Sequence, residues 1–148
     1  MRRVLSIFSF VVVLVACGND SDAVKSDLDS RLQTESTIFH LGCASLNPCG
    51  QSRRVCSVAA LGDAVAAHRP LVVEHETNQT EAGAFRSYYF VRSDGSGTKF
   101  YEEKTDVADS DCGSYCGWHR EPFSAMPVAV VDGTVHLEDF VPSSLACN

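Results

Sequence analysis

The sequence predicts a single small α+β domain in which one helix packs on a mainly antiparallel sheet of four to five strands. Two observations lead to this class. Apolar residues recur at helical spacing most clearly in residues 53–69. From residue 70 onward, short runs rich in valine and aromatic residues alternate with glycine-containing turns, which is typical of sequential antiparallel strands. A helix followed by such strands is the pattern of an α+β domain.

Residues 53–69 are the helix candidate. Four apolar side chains fall on one face, at a spacing of about 100° per residue: Val55, Val58, Leu61 and Val65. Ser52 and Ser57 are both suitable N-cap residues, because a serine hydroxyl can accept a hydrogen bond from the N–H groups of the first turn. Pro70 cannot continue a helix, so the predicted helix ends before it.

Predicted strands lie on both sides of this helix. A short apolar run at 38–41 is interpreted as an edge strand. The runs at 71–75, 85–92 and 99–104 predict three further strands, and a glycine-containing turn joins the last two of them.

The clearest turn in the chain lies near its end. Asp132-Gly133 separates apolar runs at 128–131 and 134–137. Asp-Gly between two such runs is the strongest short-range signal for a β-hairpin, so a two-residue hairpin is predicted here.

Composition narrows the class of protein. The chain has 148 residues, of which 45% are hydrophobic and 21% are charged. These fractions exclude a wholly disordered chain. The formal net charge is -7, and Arg53-Arg54 is the only pair of adjacent basic residues after Arg2-Arg3. Because a nucleic-acid-binding protein needs a basic face to neutralise phosphates, we expect no nucleic-acid partner.

The first residues have the pattern of an export signal. Arg2 and Arg3 precede a mostly apolar stretch at 4–15. That stretch is shorter than the ~20 apolar residues that a membrane-spanning helix needs. A short basic segment followed by an apolar segment of this kind is typical of a cleaved signal peptide.

The residues that follow, Leu14-Val15-Ala16-Cys17, resemble the lipobox of bacterial lipoproteins. The resemblance implies that residues 1–16 are a lipoprotein signal peptide, cut off before Cys17. It also implies that Cys17 carries a diacylglyceryl group on its sulfur and a further acyl chain, such as palmitate, on its amino group. Since each buried CH₂ contributes roughly 0.8 kcal/mol, several chains anchor a protein stably to the membrane, which is then a partner.

The same resemblance implies a location in the bacterial cell envelope, facing the periplasm or the cell surface. Gly18 follows Cys17. In enterobacterial lipoproteins an Asp at this position tends to retain the protein at the inner membrane. We therefore expect the lipid-anchored chain at the outer rather than the inner membrane.

The acidic stretch after Cys17 divides the mature chain. Residues 18–36 are polar, with five acidic and two basic side chains. Residues 17–36 are interpreted as the lipidated cysteine and a flexible acidic tether. Residues 37–148 are then the globular α+β domain.

The cysteines that remain after Cys17 predict disulfides: Cys43, Cys49, Cys56, Cys112, Cys116 and Cys147. An exported domain folds in an oxidising compartment, where an even number of cysteines indicates disulfide pairing. The spacings do not select one connectivity. The domain is therefore predicted to be disulfide-stabilised. The spacings differ from those of zinc sites, so we expect neither a metal nor another cofactor.

Candidate catalytic groups are few. None of the five histidines has the H-E-x-x-H spacing of a metalloprotease. A non-catalytic protein is therefore the preferred interpretation. The alternative is an envelope hydrolase that uses Cys56, which lies near the start of the predicted helix, or a His/carboxylate pair.

Aromatic side chains are the candidate binding residues. Tyr88, Tyr101 and Trp118 can line a groove for a protein, peptide or glycan, and packing in the core is the other interpretation. The preferred function is a membrane-anchored cell-envelope lipoprotein with a non-catalytic binding or interaction domain. A purely structural envelope component is a further alternative.

Overall fold

The computed structural model describes residues 20–42, 53–78, 84–103, 117–138 and 140–143. Within these residues the chain forms two helices and nine strands. In chain order they are α1 (Asp20–Thr34), β1 (Ile38–Leu41), β2 (Arg54–Val55), α2 (Val58–Ala66), β3 (Leu71–Asn78), β4 (Ala84–Val91), β5 (Gly97–Glu103), β6 (Gly117–Phe123), β7 (Val128–Val131), β8 (Thr134–Leu137) and β9 (Phe140–Ser143).

The described strands form two sheets. The larger is mixed, with six strands in the order β2-β1-β3-β4-β5-β6. The strands β2, β1 and β3 run parallel to one another, whereas β3 to β6 form an antiparallel meander. The smaller sheet has three antiparallel strands in the order β7-β8-β9.

The larger sheet has a separate core on each face, because side chains alternate between the two faces of a strand. On one face, Tyr88, Phe100 and Trp118 pack with Val24 and Leu28 of α1. The other core joins the sheet to α2 and the smaller sheet, and its buried members include Val73, Tyr89, Leu61, Val128 and Leu137. The architecture is thus layered, with α1 on one side and α2 with the smaller sheet on the other.

The predicted fold class is wrong. The sequence reading expected one helix on a mainly antiparallel sheet of four to five strands. The described residues instead form two helices, a six-stranded mixed sheet and a second small sheet. The run at 38–41, interpreted as an edge strand, is β1, which lies between β2 and β3. All four residues of β1 are buried, as is typical of a strand covered on both faces.

The helix that was not predicted is α1, which lies in the acidic segment that was expected to be a flexible tether. Helix α1 docks through Val24, Leu28 and Leu32, a narrow apolar stripe with a spacing of four residues. Its first turn is fixed by Ser21, whose Oγ accepts a hydrogen bond of 2.8 Å from the backbone N–H of Trp118. Because all other residues of α1 except Ala23 are polar, the apolar stripe is too narrow to predict packing of this segment from sequence alone.

The last turn of α1 is capped from a distant part of the chain. Arg53 Nη1 donates to the backbone oxygens of Leu32 and Glu35, at 3.0 and 3.2 Å. The carbonyl of Leu32 belongs to the last turn of α1, where it has no partner within the helix and needs such a donor, and Glu35 directly follows the helix. Arg53 itself has a φ of 76°, and its carbonyl accepts a 2.8 Å hydrogen bond from the N–H of Ile38. One residue therefore ties α1 to the start of β1.

Helix α2 is shorter than predicted. It begins at Val58, and Ser57 is its N-cap, with Oγ accepting a 3.2 Å hydrogen bond from Ala60 N–H. Ser57, one of the two candidate caps, is thus confirmed. Val55, which matched the helical spacing, lies in β2 and still packs against the core that α2 covers.

The predicted hairpin is confirmed. Asp132 and Gly133 have φ values of 50° and 75°, as a type I′ turn requires at both central positions. Val131 pairs with Thr134 directly beside the turn. Local turn chemistry alone determines this feature, so it could be predicted from the sequence.

Little of the predicted disulfide set falls within the described residues. Cys56 is disulfide-bonded. Cys17, Cys43, Cys49, Cys112, Cys116 and Cys147 lie outside the described residues, so no disulfide joins two described residues. Neither described helix is long and apolar enough to cross a membrane.

We predict that Leu28→Ala will destabilise the fold by about 2–5 kcal/mol, because it opens a cavity under α1. Leu28 is 1% exposed. The free energy of unfolding can be followed by the fluorescence of Trp118, the single tryptophan, which belongs to the same core. Gln33→Ala, an exposed change on the same helix, is the matched control. Equal stabilities of the two variants would contradict a docked α1.

Candidate functional site

A buried carboxylate lies near the middle of the larger sheet. The register places Glu74 of β3 beside His40 of β1 and Tyr88 of β4, all on the face that α1 covers. The side chain of Glu74 is 3% exposed. An ionised group at this depth requires both opposite charge and hydrogen-bond donors.

Three side chains supply those donors. Arg54 of β2 binds Glu74 through two bonds, Nε to Oε2 at 2.5 Å and Nη2 to Oε1 at 2.8 Å. His40 Nδ1 is 2.9 Å from Oε2, and the hydroxyl of Tyr88 donates to Oε1 at 2.7 Å. The other ring nitrogen of His40 is 3.1 Å from the carbonyl oxygen of Gly42. Four strands are therefore joined through one carboxylate.

The electrostatics follow from these contacts. Burial on its own raises the pKa of Glu74, but the hydrogen bonds from Arg54, His40 and Tyr88 outweigh it and hold the pKa well below its usual range. Burial, together with the neighbouring Glu74, raises the pKa of Tyr88. Glu74 is therefore ionised, and Tyr88 neutral, throughout the physiological range.

This network is suited to structure more than to catalysis. Both oxygens of Glu74 and both ring nitrogens of His40 are already engaged by protein groups. His40 and Glu74 form a His/carboxylate pair of the kind a hydrolase uses, but neither presents a polar atom to a substrate. Cys56, the candidate nucleophile of the hydrolase alternative, is disulfide-bonded.

A second polar cluster lies on the opposite face of the sheet, around Lys99 of β5. Lys99 Nζ is 3.1 Å from Glu138 Oε2 and 3.5 Å from Glu121 Oε1. The ammonium group also lies 5.4 Å from the ring centroids of Tyr89 and Tyr101. One cation with two carboxylates leaves this cluster with a net charge of -1.

The surroundings shift the pKa values of Tyr89 and Lys99. Burial raises the pKa of Tyr89 to about 12. Burial lowers the pKa of Lys99, but the nearby Tyr89 and the hydrogen bond to Glu138 outweigh that effect, and the net shift is upward. Lys99 is therefore a permanent cation and Tyr89 a neutral hydrogen-bond donor.

A groove of about 580 Å³ adjoins this cluster. Its lining is largely apolar, formed by the end of β6, the connection to β7 and Glu138: Pro122, Phe123, Ser124, Ala125, Met126, Pro127 and Glu138. Apolar walls with a few placed polar groups are typical of ligand pockets.

The backbone of Glu138 is strained. Its φ is 48°, in a region that residues other than glycine rarely adopt. A 2.7 Å hydrogen bond from its N–H to the carbonyl oxygen of Pro127 holds it there. Asp132 and Arg53 adopt the same conformation at structural positions, so the groove is a candidate binding site because of its lining and not because of this backbone.

The structure separates the three aromatic residues that the sequence indicated for binding. Tyr88 and Trp118 lie in the core under α1, with ring centroids 6.0 Å apart, and each is 6% exposed. Tyr101 lies on the opposite face, stacked on His119 with centroids 5.5 Å apart. Tyr88 and Trp118 therefore pack in the core, and only Tyr101 contacts the cluster around Lys99.

Sequence reasoning missed Glu74, Lys99 and Glu138. Glu138 follows the predicted hairpin, but nothing in the sequence signals its left-handed backbone. Glu74 and Lys99 look like ordinary polar residues of strands, and their partners come from strands far away in the chain. Within the described ranges, no three His, Cys, Asp or Glu side chains group as metal ligands would.

Comparison with family models, curated proteins and solved structures finds no match to this chain.

We predict that Glu74→Gln will destabilise the protein by about 3–5 kcal/mol at neutral pH, because it removes the buried charge of an ion pair and leaves the half-buried Arg54 without a counter-charge. The measurement is denaturant unfolding. Asp29→Asn, which removes only an exposed ion pair with Lys25, is the control and should change stability by less than about 0.5 kcal/mol.

The same variant gives a pH test. The folded-state pKa of Glu74 lies below its ordinary value of 4.5, so the carboxylate contributes its full stability above that value. The contribution is lost as the pH falls below it towards the folded-state pKa. The wild type should therefore lose more stability than Glu74→Gln on acidification. Parallel acid slopes would show that Glu74 is not the group responsible.

Proposed function

We propose that this protein is a lipid-anchored component of the bacterial cell envelope whose domain binds a ligand without converting it chemically. The lipobox at 14–17 supports the anchor. The observation that carries the binding function is the groove that Glu138 lines together with mostly apolar residues.

The composition of the groove indicates what it binds. Phe123 and Met126 supply its larger apolar side chains, and Pro122 and Pro127 stiffen its two ends. The adjoining cluster of Lys99, Glu121 and Glu138 adds a net charge of -1. We therefore infer that the ligand is a peptide segment with apolar side chains and one cationic group directed at Glu138.

Recognition fits this carboxylate better than proton transfer. Glu138 Oε2 accepts a hydrogen bond from Lys99 at 3.1 Å and lies 3.5 Å from the hydroxyl of Tyr89. Both groups donate to the same oxygen and hold the carboxylate in one position. A carboxylate fixed in this way is suited to recognise a cationic group of a ligand.

Docking of α1 changes how an anchored domain would stand on the membrane. Helix α1 begins at Asp20. Three residues, 17–19, would then join the lipids to the fold, and such a segment reaches at most about 11 Å. The 15 residues of α1 extend about 22 Å from that end. Ser21 accepts a hydrogen bond from Trp118 at the start of β6. An anchor at Cys17 would therefore lie nearer the start of β6 than its end, where the groove is.

The anchor is tested with Cys17→Ser. We expect the variant to lose acylation and to leave the membrane fraction, because the lipids are attached through this sulfur. The measurements are incorporation of labelled palmitate and fractionation of the cells. Retention of the variant in the membrane, with the signal peptide uncleaved, would show a signal anchor and overturn the lipoprotein assignment.

The groove is tested with Glu138→Gln and a set of short apolar peptides that differ only in a central Lys, Glu or Leu. We expect the wild type to prefer the Lys peptide. The variant should bind that peptide about tenfold more weakly, equal to about 1.4 kcal/mol, with little change for the Leu peptide. Asp22→Asn, an exposed carboxylate on α1, is the control. An unchanged preference for Lys in Glu138→Gln would refute the proposed site.

A further inference from the structure

A cleft lies on the face of the larger sheet that α1 covers, along a row of neighbouring residues near one end of the strands. The register places Val72, Phe90, Thr98 and Pro122 side by side across β3, β4, β5 and β6. Arg31 of α1 reaches over this row, with its guanidinium carbon 5.8 Å from the ring centroid of Phe90. The row is thus partly covered by the end of the helix.

The cleft has two parts, and Arg31 and Thr98 line both of them. One has a volume of about 260 Å³, and its lining also includes Arg120, Glu121 and Pro122. The other has a volume of about 140 Å³, and its lining adds Glu35 and Arg92 to five apolar residues: Pro70, Leu71, Val72, Phe90 and Val91. The first part therefore contains two guanidinium groups, and the second combines polar and apolar walls.

The two arginines of the first part are held by one carboxylate. Asp27 Oδ1 accepts from Arg31 Nε, and Asp27 Oδ2 accepts from Arg120 Nη1, each at 3.0 Å. The hydrogen bond from Arg31, and to a smaller extent that from Arg120, lowers the pKa of Asp27. Asp27 is therefore ionised and binds both arginines at every physiological pH. Arg31 is oriented further by Phe100, whose ring centroid is 5.3 Å from its guanidinium carbon.

Both arginines retain donors. The side chains of Arg31 and Arg120 are 41% and 57% exposed. Neither makes a further side-chain hydrogen bond within the part of the chain that the structure describes. Each guanidinium has five N–H groups in a planar fork, so several of them can bind an acceptor in the cleft.

The nearest acidic side chains neutralise the charges of Arg31 and Arg120 only in part. Asp27 offsets one of the two positive charges. Alternation along β6 directs the side chain of Glu121 to the opposite face, where it lies 3.5 Å from Lys99 Nζ. Glu35 and Arg92 line the second part and offset each other in charge. The guanidinium part of the cleft therefore keeps a net positive charge in a protein whose formal net charge is -7.

We propose that this cleft is a second binding site, for a small carboxylic acid with an apolar tail. The carboxylate is bound by the N–H groups of Arg31 and Arg120, and the hydroxyl of Thr98 adds a donor. The tail lies on the ring of Phe90. Two oriented guanidinium groups suit the planar carboxylate, which each can bind through parallel hydrogen bonds. The site does not depend on the groove beside Glu138 or on the lipid anchor.

Hexanoate is the probe, with hexylamine and 1-hexanol as analogues that keep the tail and change the head. Binding is measured by calorimetry on the full-length protein in lipid nanodiscs, with empty nanodiscs as the blank. We expect hexanoate to bind at least about tenfold more tightly than either analogue. Arg120→Gln should weaken hexanoate about tenfold, and Arg31→Lys should also weaken it, because lysine keeps the charge but lacks the planar fork.

Lys25→Gln is the matched control, since Lys25 is also a cation of α1 paired with an aspartate four residues away. It should leave hexanoate affinity unchanged. Thermal unfolding of each variant shows whether the fold persists. If Arg31→Lys unfolds, Arg120→Gln still tests the site, because Arg120 is the more exposed arginine. The proposal is overturned if hexanoate does not bind, if hexylamine binds as well, or if folded Arg120→Gln binds hexanoate with wild-type affinity.

Discussion

The fold depends on the ionised carboxylate of Glu74. It accepts hydrogen bonds from Arg54 and Tyr88 and contacts His40, so that β2, β1, β3 and β4 share one buried charge. The strand β2 has only two residues, and backbone pairing alone would hold it weakly. A bidentate Arg54 compensates for that short ladder and fixes the register of the parallel part of the sheet.

The register fixed by Glu74 also determines what each face of the sheet presents. Tyr88, opposite Glu74, is the aromatic residue that packs with Trp118 under α1. On the other face the same register places Tyr89 near Lys99 and Glu138, beside the groove. Both candidate sites lie towards the same end of the sheet, where Pro122 lines each of them. A shift of one residue in β4 would exchange the two faces and remove both sites.

Sequence reasoning succeeded where local chemistry decides the structure. Asp132-Gly133 sets a hairpin through the φ values that only a few residues accept, and Ser57 caps a helix through its own hydroxyl. Prediction from the sequence failed where contacts between residues far apart in the chain determine the structure. Helix α1 has only a narrow apolar stripe, and its stability comes from Trp118 and Arg53, which lie far away in the chain. The parallel pairing of β1 and the partners of Glu74 depend on tertiary contacts in the same way.

The charge state of Glu74 can be measured directly, by following its side-chain carboxyl carbon with NMR as the pH is lowered. If the carboxylate is held by Arg54, His40 and Tyr88, its chemical shift should stay that of an ionised carboxylate well below pH 4.5, the ordinary pKa of a glutamate, or until the protein unfolds. A midpoint for Glu74 at that ordinary value would contradict this account.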